Sequence, residues 1–278
     1  MSLNITSLNS GSNGNCYYIG NDHEAVLVDA GISCKETEIR MKRLGLDMEK
    51  LKAIFVSHEH NDHIKGLMVL SKKYQLPVYI TEATHKHAKI RLEKNLIKRF
   101  RENEHVLIGE LSVTPFQKFH DAEDPYSFLV SSQTVNVGIF TDLGIVCEKL
   151  IQHFQQCHAA FLEANYDEEM LQNGSYPFYL KKRITDGKGH LSNTQALDLF
   201  KVHRPSFMSH LILSHLSNNN NKPEIVNNLF IEHANGTEIV IASRHQETPV
   251  FKIINTTSVI PKSKENKKSV KQQLSLFE

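Results

Sequence analysis

Apolar positions along this chain fall into short runs with two kinds of spacing. "NCYYIG" and "EAVLVDAG" are near-continuous apolar runs, rich in β-branched and aromatic residues and split by a polar turn; they predict a strand pair. In "SCKETEIRMKRLGL" the residues Ile39, Met41 and Leu44 recur at helical spacing, and Ser33 stands where an N-cap belongs. "KAIFVS" predicts a strand, "DHIKGLMVLSKKY" a helix, "PVYIT" a strand, and "EATHKHAKIRLEKNLIKRF" a long basic helix. From residue 104 to 141 the pattern changes to successive strands, "HVLIGELSVTPFQ", "YSFLVSS" and "TVNVGIFTD". Helix and strand then alternate through "AAFLEANYD", "SNTQALDLFKVH", "HLILSHLS" and "IVNNLFIEHA", before "TEIVIAS" and "PVFKII". Strands in two groups with helices interspersed predict an α/β fold, a four-layer αβ/βα sandwich.

Composition narrows this only a little. With 40% hydrophobic and 23% charged residues, the 278-residue chain has a globular balance and enough length for a large core. The formal net charge is +1, so any basic surface must be local. One such cluster is Lys86, Lys89, Arg91, Lys94, Lys98, Arg99 and Arg101, which on one helix face would follow a phosphate backbone. No aromatic-rich stripe marks a base-stacking surface. Cys16, Cys34, Cys147 and Cys157 form no CxxC pair, which argues for a reducing compartment and against a disulfide framework. With no signal-like start and no run of membrane-spanning length, the expectation is a cytoplasmic protein without a membrane partner. The lysine-rich segment "PKSKENKKSVK" sets residues 258–278 apart as a flexible basic tail from a domain over residues 1–257.

Chemistry concentrates in "SHEHNDH", where His58, His60, Asp62 and His63 crowd together behind an apolar strand. Imidazole and carboxylate are the ligands that Zn²⁺, Mn²⁺ and Fe accept. Four such groups this close do not all fit one tetrahedral ion that must also admit a substrate, so two ions are the easier solution. "HEHNDH" resembles the HxHxDH signature of the metallo-β-lactamase-fold hydrolases, and the remaining signature positions follow in order. "VLVDAG" supplies Asp29, "FHDAEDPYSF" His120, "IFTDLG" Asp142 and "LILSHLS" His215. The resemblance implies one ion on His58, His60 and His120, a second on Asp62, His63 and His215, and Asp142 bridging them. It places the ions ~3.5–4 Å apart with a hydroxide between them. Asp29 would lie behind the ligands and fix an imidazole tautomer.

More local sequence is similar to the YycJ (WalJ) family: "SLNSGSNGNCYYIG", "LVDAGISCKE", "HEHNDHIKGL", "HDAEDPYSF", "LEANYD" and "GHLSN". Membership implies a cytoplasmic exonuclease acting on DNA, with polarity open and 5′ to 3′ the working assignment. Two ions suit a phosphodiester, since the bridging hydroxide attacks while the ions neutralise developing charge. Asp62 or Asp142 would orient that hydroxide. In "KKRITDGKGHLSN", His190 is the candidate proton donor, and Lys181, Lys182, Arg183, Ser192 and Asn193 are candidate substrate contacts, Ser192 or Asn193 doubling as a helix cap. "SGSNG" near the start is either a pocket wall or a turn. The same ligands would serve a ribonuclease or a thioester hydrolase, and a metal-bearing regulatory module with little catalysis is the alternative of another class.

In the tail, Gln273, Leu274, Ser275, Leu276 and Phe277 spell QLSLF, similar to the short peptide with which bacterial proteins bind the replication sliding clamp. That implies recruitment to replicating DNA for repair, on a tether that orders when it docks.

Overall fold

The computed structural model describes residues 2–255. The first strands are β1 (Ser2–Asn9), β2 (Cys16–Gly20), β3 (Ala25–Val28), β4 (Leu51–Phe55), β5 (Val78–Tyr79) and β6 (Ile97–Lys98). They lie side by side in that order. A second sheet runs β7 (Val106–Ile108), β8 (Leu111–Gln117), β9 (Tyr126–Ser132), β10 (Val135–Phe140), β11 (Ala159–Glu163), β12 (His210–Ser214) and β13 (Glu238–Ile241). The last strand, β14 (Phe251–Ile254), returns to the first sheet and pairs antiparallel with β1. Each sheet is mixed. In the first, β1–β3 are antiparallel and β3–β6 parallel; in the second, β7–β10 are antiparallel and β10–β13 parallel.

Strand alternation sorts the core into layers. Along β2 and β3, Tyr17, Ile19, Val26 and Val28 pack between the sheets against Phe128, Val137 and Phe161. Their neighbours Cys16, Tyr18, Ala25 and Leu27 face outward and are covered by Met41 and Leu70. Those covers belong to α1 (Cys34–Arg43) and, beyond α2 (Asn61–Ile64), to α3 (Leu67–Tyr74). After α4 (Glu82–Ala88), the second sheet is covered by α5 (Glu148–Phe154) and, past α6 (Glu168–Asn173) and α7 (Phe178–Thr185), by α8 (Asn193–His203) and α9 (Pro223–Ile231). Because both faces of these strands are buried, they read as unbroken apolar runs. This is the expected four-layer αβ/βα sandwich, and all four described cysteines are unpaired.

One strand is additional to the expected elements, and two local expectations need correction. β1 is a strand for which no expectation is drawn above, although "SLNIT" alternates polar and apolar positions as a half-buried strand does; Leu3 and Ile5 are fully buried and β2 and β14 flank it. The helix expected over residues 62–74 is broken at Gly66, where a Cβ would meet the Ile32 carbonyl oxygen at 1.9 Å. The long basic helix expected after residue 81 stops at Ala88. Lys89 turns left-handed, and Ile97–Lys98 leaves the helix to extend the sheet beside β5. Its lysines and arginines therefore do not share one helical face. Residues 273–277 and the expected 257/258 boundary lie outside the described residues.

Candidate metal centre

The parallel strands point their carboxyl ends to one edge of the sandwich, where α/β sheets gather ligands. Asp29 follows β3, the "SHEHNDH" loop follows β4, His120 follows β8, Asp142 follows β10, and His215 follows β12. Asp29, Asp142 and His215 all have positive φ, at 63°, 57° and 57°. A left-handed residue turns the chain sharply off its strand, an unfavourable conformation for any side chain but glycine and one that clusters at functional sites.

The histidine and aspartate side chains converge in two groups. His58 Nε2 lies 3.1 Å from His60 Nδ1, which lies 3.4 Å from His120 Nε2. Asp62 Oδ2 lies 3.5 Å from His63 Nε2 and 3.6 Å from His215 Nε2. Asp142 stands between them, with Oδ2 3.3 Å from His63 Nε2 and Oδ1 3.5 Å from His215 Nε2 and 3.9 Å from His120 Nε2. Within each trio, ligand atoms lie within 4.8 Å of one another, and His58, His63 and Asp142 make a third such set.

A pair of divalent cations suits this donor set. Asp142 Oδ2 and His215 Nε2 are buried and make no hydrogen bond, an arrangement that native proteins avoid unless another partner is due. On His58, His63, His120 and His215 the ring nitrogen facing away from the convergence is held. Asp29 Oδ2 takes His63 Nδ1 at 2.7 Å, and Ser57 Oγ bridges Asp29 Oδ2 at 2.8 Å to His58 Nδ1 at 2.9 Å. His120 Nδ1 donates to the Gly189 carbonyl at 3.0 Å, and His215 Nδ1 to Glu163 Oε1 at 2.9 Å. Such outer contacts fix which nitrogen is free to ligate.

Charge separates the two groups. Burial, with His63 close by, pushes His58 well below the ordinary histidine range, and burial takes His120 down to about 3 despite Asp142. Both are neutral imidazoles, as metal binding requires. Burial acts the same way on His63 and His215, but the surrounding carboxylates overcome it. Asp142, Asp29 and Asp62 raise His63 well above its ordinary value, and Asp142, Asp62 and Glu163 bring His215 to about 10. Protons on the second group thus balance carboxylates that metal ions would otherwise balance. Lys118 adds a buried cation whose Nζ donates to the Thr141 carbonyl at 2.7 Å.

Residues 24–216 match the Beta-lactamase superfamily domain. The chain belongs to the metallo-β-lactamase superfamily. It is 36% identical over 230 residues to exodeoxyribonuclease YycJ of Bacillus anthracis, covering 81% of this chain and 86% of that protein. It is 32% identical over 225 residues to exodeoxyribonuclease WalJ of Streptococcus pneumoniae, covering 78% and 83%. The metallo-β-lactamase fold protein YhfI from Bacillus subtilis superposes with a TM-score of 0.71 over 91% of this chain and 100% of its own, at 18% identity. With its buried His/Asp clusters, this superfamily member is a metal-dependent hydrolase homologous to exodeoxyribonucleases.

Around the metallo-β-lactamase centre the other expected residues divide. A cavity of about 190 Å³ opens beside it, lined by Ser12, Asp121, Tyr176, Arg183, His190 and His215 among others. Ser12 thus puts "SGSNG" on the cavity wall, and Ser10 Oγ accepts the His215 backbone N–H at 2.8 Å. Ser192 and Asn193 do not face the cavity. Ser192 forms a capping box with Gln195 at the start of α8, and Asn193 exchanges amide hydrogen bonds with Asn221, both side chains buried. Both side chains are thus engaged within the fold. Lys181 and Lys182 sit on α7 away from the cavity that Arg183 lines. Sequence reading missed Glu163, Ser57 and Asn15. Glu163 is fully buried, and its Oε1 also takes His190 Nδ1 at 2.8 Å. Asn15 Nδ2 donates to Asp62 Oδ2 at 3.1 Å.

Among the described residues no helix is long and apolar enough to cross a membrane.

Proposed function

We propose that this hydrolase is a DNA exonuclease, with 5′ to 3′ degradation as its working polarity. The supporting observation is the coincidence of a two-group His/Asp centre with 36% identity, across most of both chains, to a protein named as an exodeoxyribonuclease. In this reading His58, His60 and His120 would hold one ion and Asp62, His63 and His215 the other, with Asp142 placed to serve either; zinc is the first candidate, manganese and iron the next. When bound, the ions supply an activated water at neutral pH and neutralise charge on the phosphodiester oxygens. Asn15 holds Asp62 so that its carboxylate orients the attacking water. Glu163 occupies His190 Nδ1 and leaves Nε2 for the cavity, where it gives a proton to the leaving oxygen. Arg183, clamped by Asp121 at the same cavity, grips a non-bridging phosphate oxygen.

Metal-loaded protein incubated with 5′- and 3′-labelled single- and double-stranded DNA, beside His60→Ala, tests the reading. Progressive shortening from one end, lost in the variant, supports it and fixes the polarity. Intact DNA with cleaved RNA or thioester in parallel reactions refutes the substrate and keeps the hydrolase. Recruitment belongs to the same reading: Gln273–Phe277, outside the described residues, docks on the sliding clamp and brings the enzyme to DNA under repair. Deleting residues 272–278 should remove clamp binding and leave cleavage of free DNA unchanged; clamp binding that survives the deletion refutes it.

A further inference from the structure

Helix α7 is oddly placed for a helix of a globular domain: none of its residues is buried. It is attached to the candidate centre through the glycine loop that follows. His190 N–H bonds the Ile184 carbonyl at 3.0 Å, and a Cβ on Gly189 would meet that oxygen at 2.2 Å and the Arg183 carbonyl oxygen at 2.4 Å. One side of α7, with Leu180, Arg183 and Ile184, walls the cavity that contains His190 and His215. The other side, with Phe178, Lys181 and Lys182, walls a second hollow beside Tyr166 and Glu168. At its exposed start Phe178 is 81% and Tyr179 74% accessible, the most exposed of the large apolar side chains in the described residues. Lys182 is exposed and has no partner there, while Lys181 Nζ is steadied by the Gln172 carbonyl at 2.6 Å.

Adjacent bare aromatics flanked by cations are the ingredients of a surface for unpaired nucleotides. Every base offers a π-face to stack on, and the cations follow the phosphates. A second copy of the chain fits this face poorly, since symmetric pairing would set Lys181, Lys182 and Arg183 against their own counterparts. We infer that α7 is a stacking platform for a single-stranded segment of the DNA substrate: Phe178 and Tyr179 stack its bases, and Lys181 and Lys182 hold its backbone as it enters the cavity at Arg183 and His190. This rests on the nuclease reading and adds strand preference to it. A helix with no buried residue tolerates truncation of its outward side chains, so the variants keep the fold.

The test uses the full chain in two arms. In chelator, which stops cleavage, binding of a labelled single strand and of a blunt duplex is compared for wild type and the Phe178→Ala/Tyr179→Ala double variant. The variant should lose about tenfold or more in single-strand affinity and about twofold or less for the duplex, the size expected for one or two lost stacks. With metal, its KM for single strands should rise by about the same factor while kcat stays within about twofold, since only ground-state binding is removed. The chain has no tryptophan, so Tyr179→Trp adds a single reporter whose emission should be quenched by the single strand. Unchanged single-strand affinity in the double variant, or unquenched Trp emission with DNA bound, overturns the platform and leaves the nuclease reading intact. A shift in sedimentation of the double variant without a change in DNA affinity overturns it in favour of self-association. Wild type that neither binds nor cuts DNA removes both.

Discussion

Glu163→Gln is the substitution whose consequence can be followed furthest. The carboxylate is fully buried and uses both oxygens twice: Oε1 accepts from His190 Nδ1 at 2.8 Å and His215 Nδ1 at 2.9 Å, and Oε2 from the Leu143 N–H at 2.6 Å and the Leu191 N–H at 3.3 Å. Burial pushes its acidity down, but the His190 charge and the two imidazole hydrogen bonds outweigh that and hold its pKa at about 2. Glutamine has the same shape but only one oxygen. If that oxygen faces the imidazoles, its amide N–H groups confront two backbone N–H groups. If it faces the backbone, the amide donates to both Nδ1 atoms, and the imidazole protons must move to Nε2, where His215 needs a lone pair. Either way two buried donors or acceptors lose their partner, at about 1–3 kcal/mol each, or roughly 4 kcal/mol together. For a domain of this size that lowers Tm by roughly 8–16 °C, read by calorimetry on the metal-free protein. Loss of the outer contact to His215 should also weaken metal binding about 10–100-fold, read by competition with a chromophoric chelator. A variant within about 2 °C of wild type and with unchanged metal affinity would show that the Glu163 network carries neither burden.

Other outcomes follow from the same coordinates. Gly31→Ala places a Cβ 1.7 Å from the Asp62 carbonyl oxygen, so the Asp62 loop must move, and bound metal should fall from two equivalents toward one by elemental analysis. Because carboxylates raise His215 to about 10 and His63 above its ordinary value, both are protonated near neutrality without metal. Their contribution to the stability of the metal-free protein is therefore complete below the unfolded histidine value; that of His215 is lost as pH rises through about 10, and that of His63 is lost only well above its ordinary value. Metal must displace those protons, so calorimetry in buffers of different ionisation enthalpy should record proton release at neutral pH, and affinity should climb up to about tenfold per pH unit for each proton. Ser192→Ala removes a helix cap and should cost about 1 kcal/mol in chemical denaturation with kcat and KM unchanged; a raised KM would return Ser192 to the substrate.

The centre was legible because its ligands sit at strand ends, where short apolar runs advertise a coming turn. His58, His60, Asp62 and His63 share one loop, and Asp29, His120, Asp142 and His215 each close a run. Glu163 closes one too, but nothing local marks it. Its role exists only because β11 pairs with β12 at Glu163↔Ser214 and the neighbouring strand end delivers His215. Ser57 and Asn15 were hidden for the same reason: small polar residues acquire meaning from what the fold sets against them. The basic stretch after residue 81 misled in the opposite direction. Its helical propensity is genuine, but Ile97 gains more from completing the parallel edge beside Val78 than from another turn of helix. α7 lacked an apolar face because it covers no core, so periodicity gave no signal.

The three left-handed turns at Asp29, Asp142 and His215 belong to the backbone frame, not to side-chain choice. Asp29 N–H bonds the Phe55 carbonyl at 2.8 Å, His215 N–H bonds Ser10 Oγ at 2.8 Å, and the Leu143 N–H next to Asp142 bonds Glu163. A zinc finger gathers its ligands only when metal arrives and falls apart on chelation. Here the sandwich core sets the ligand directions in advance, so stripping the ions should leave a folded, refillable scaffold. Chelation would act as a reversible switch on this molecule, and metal supply in the cell could set its activity without setting its abundance.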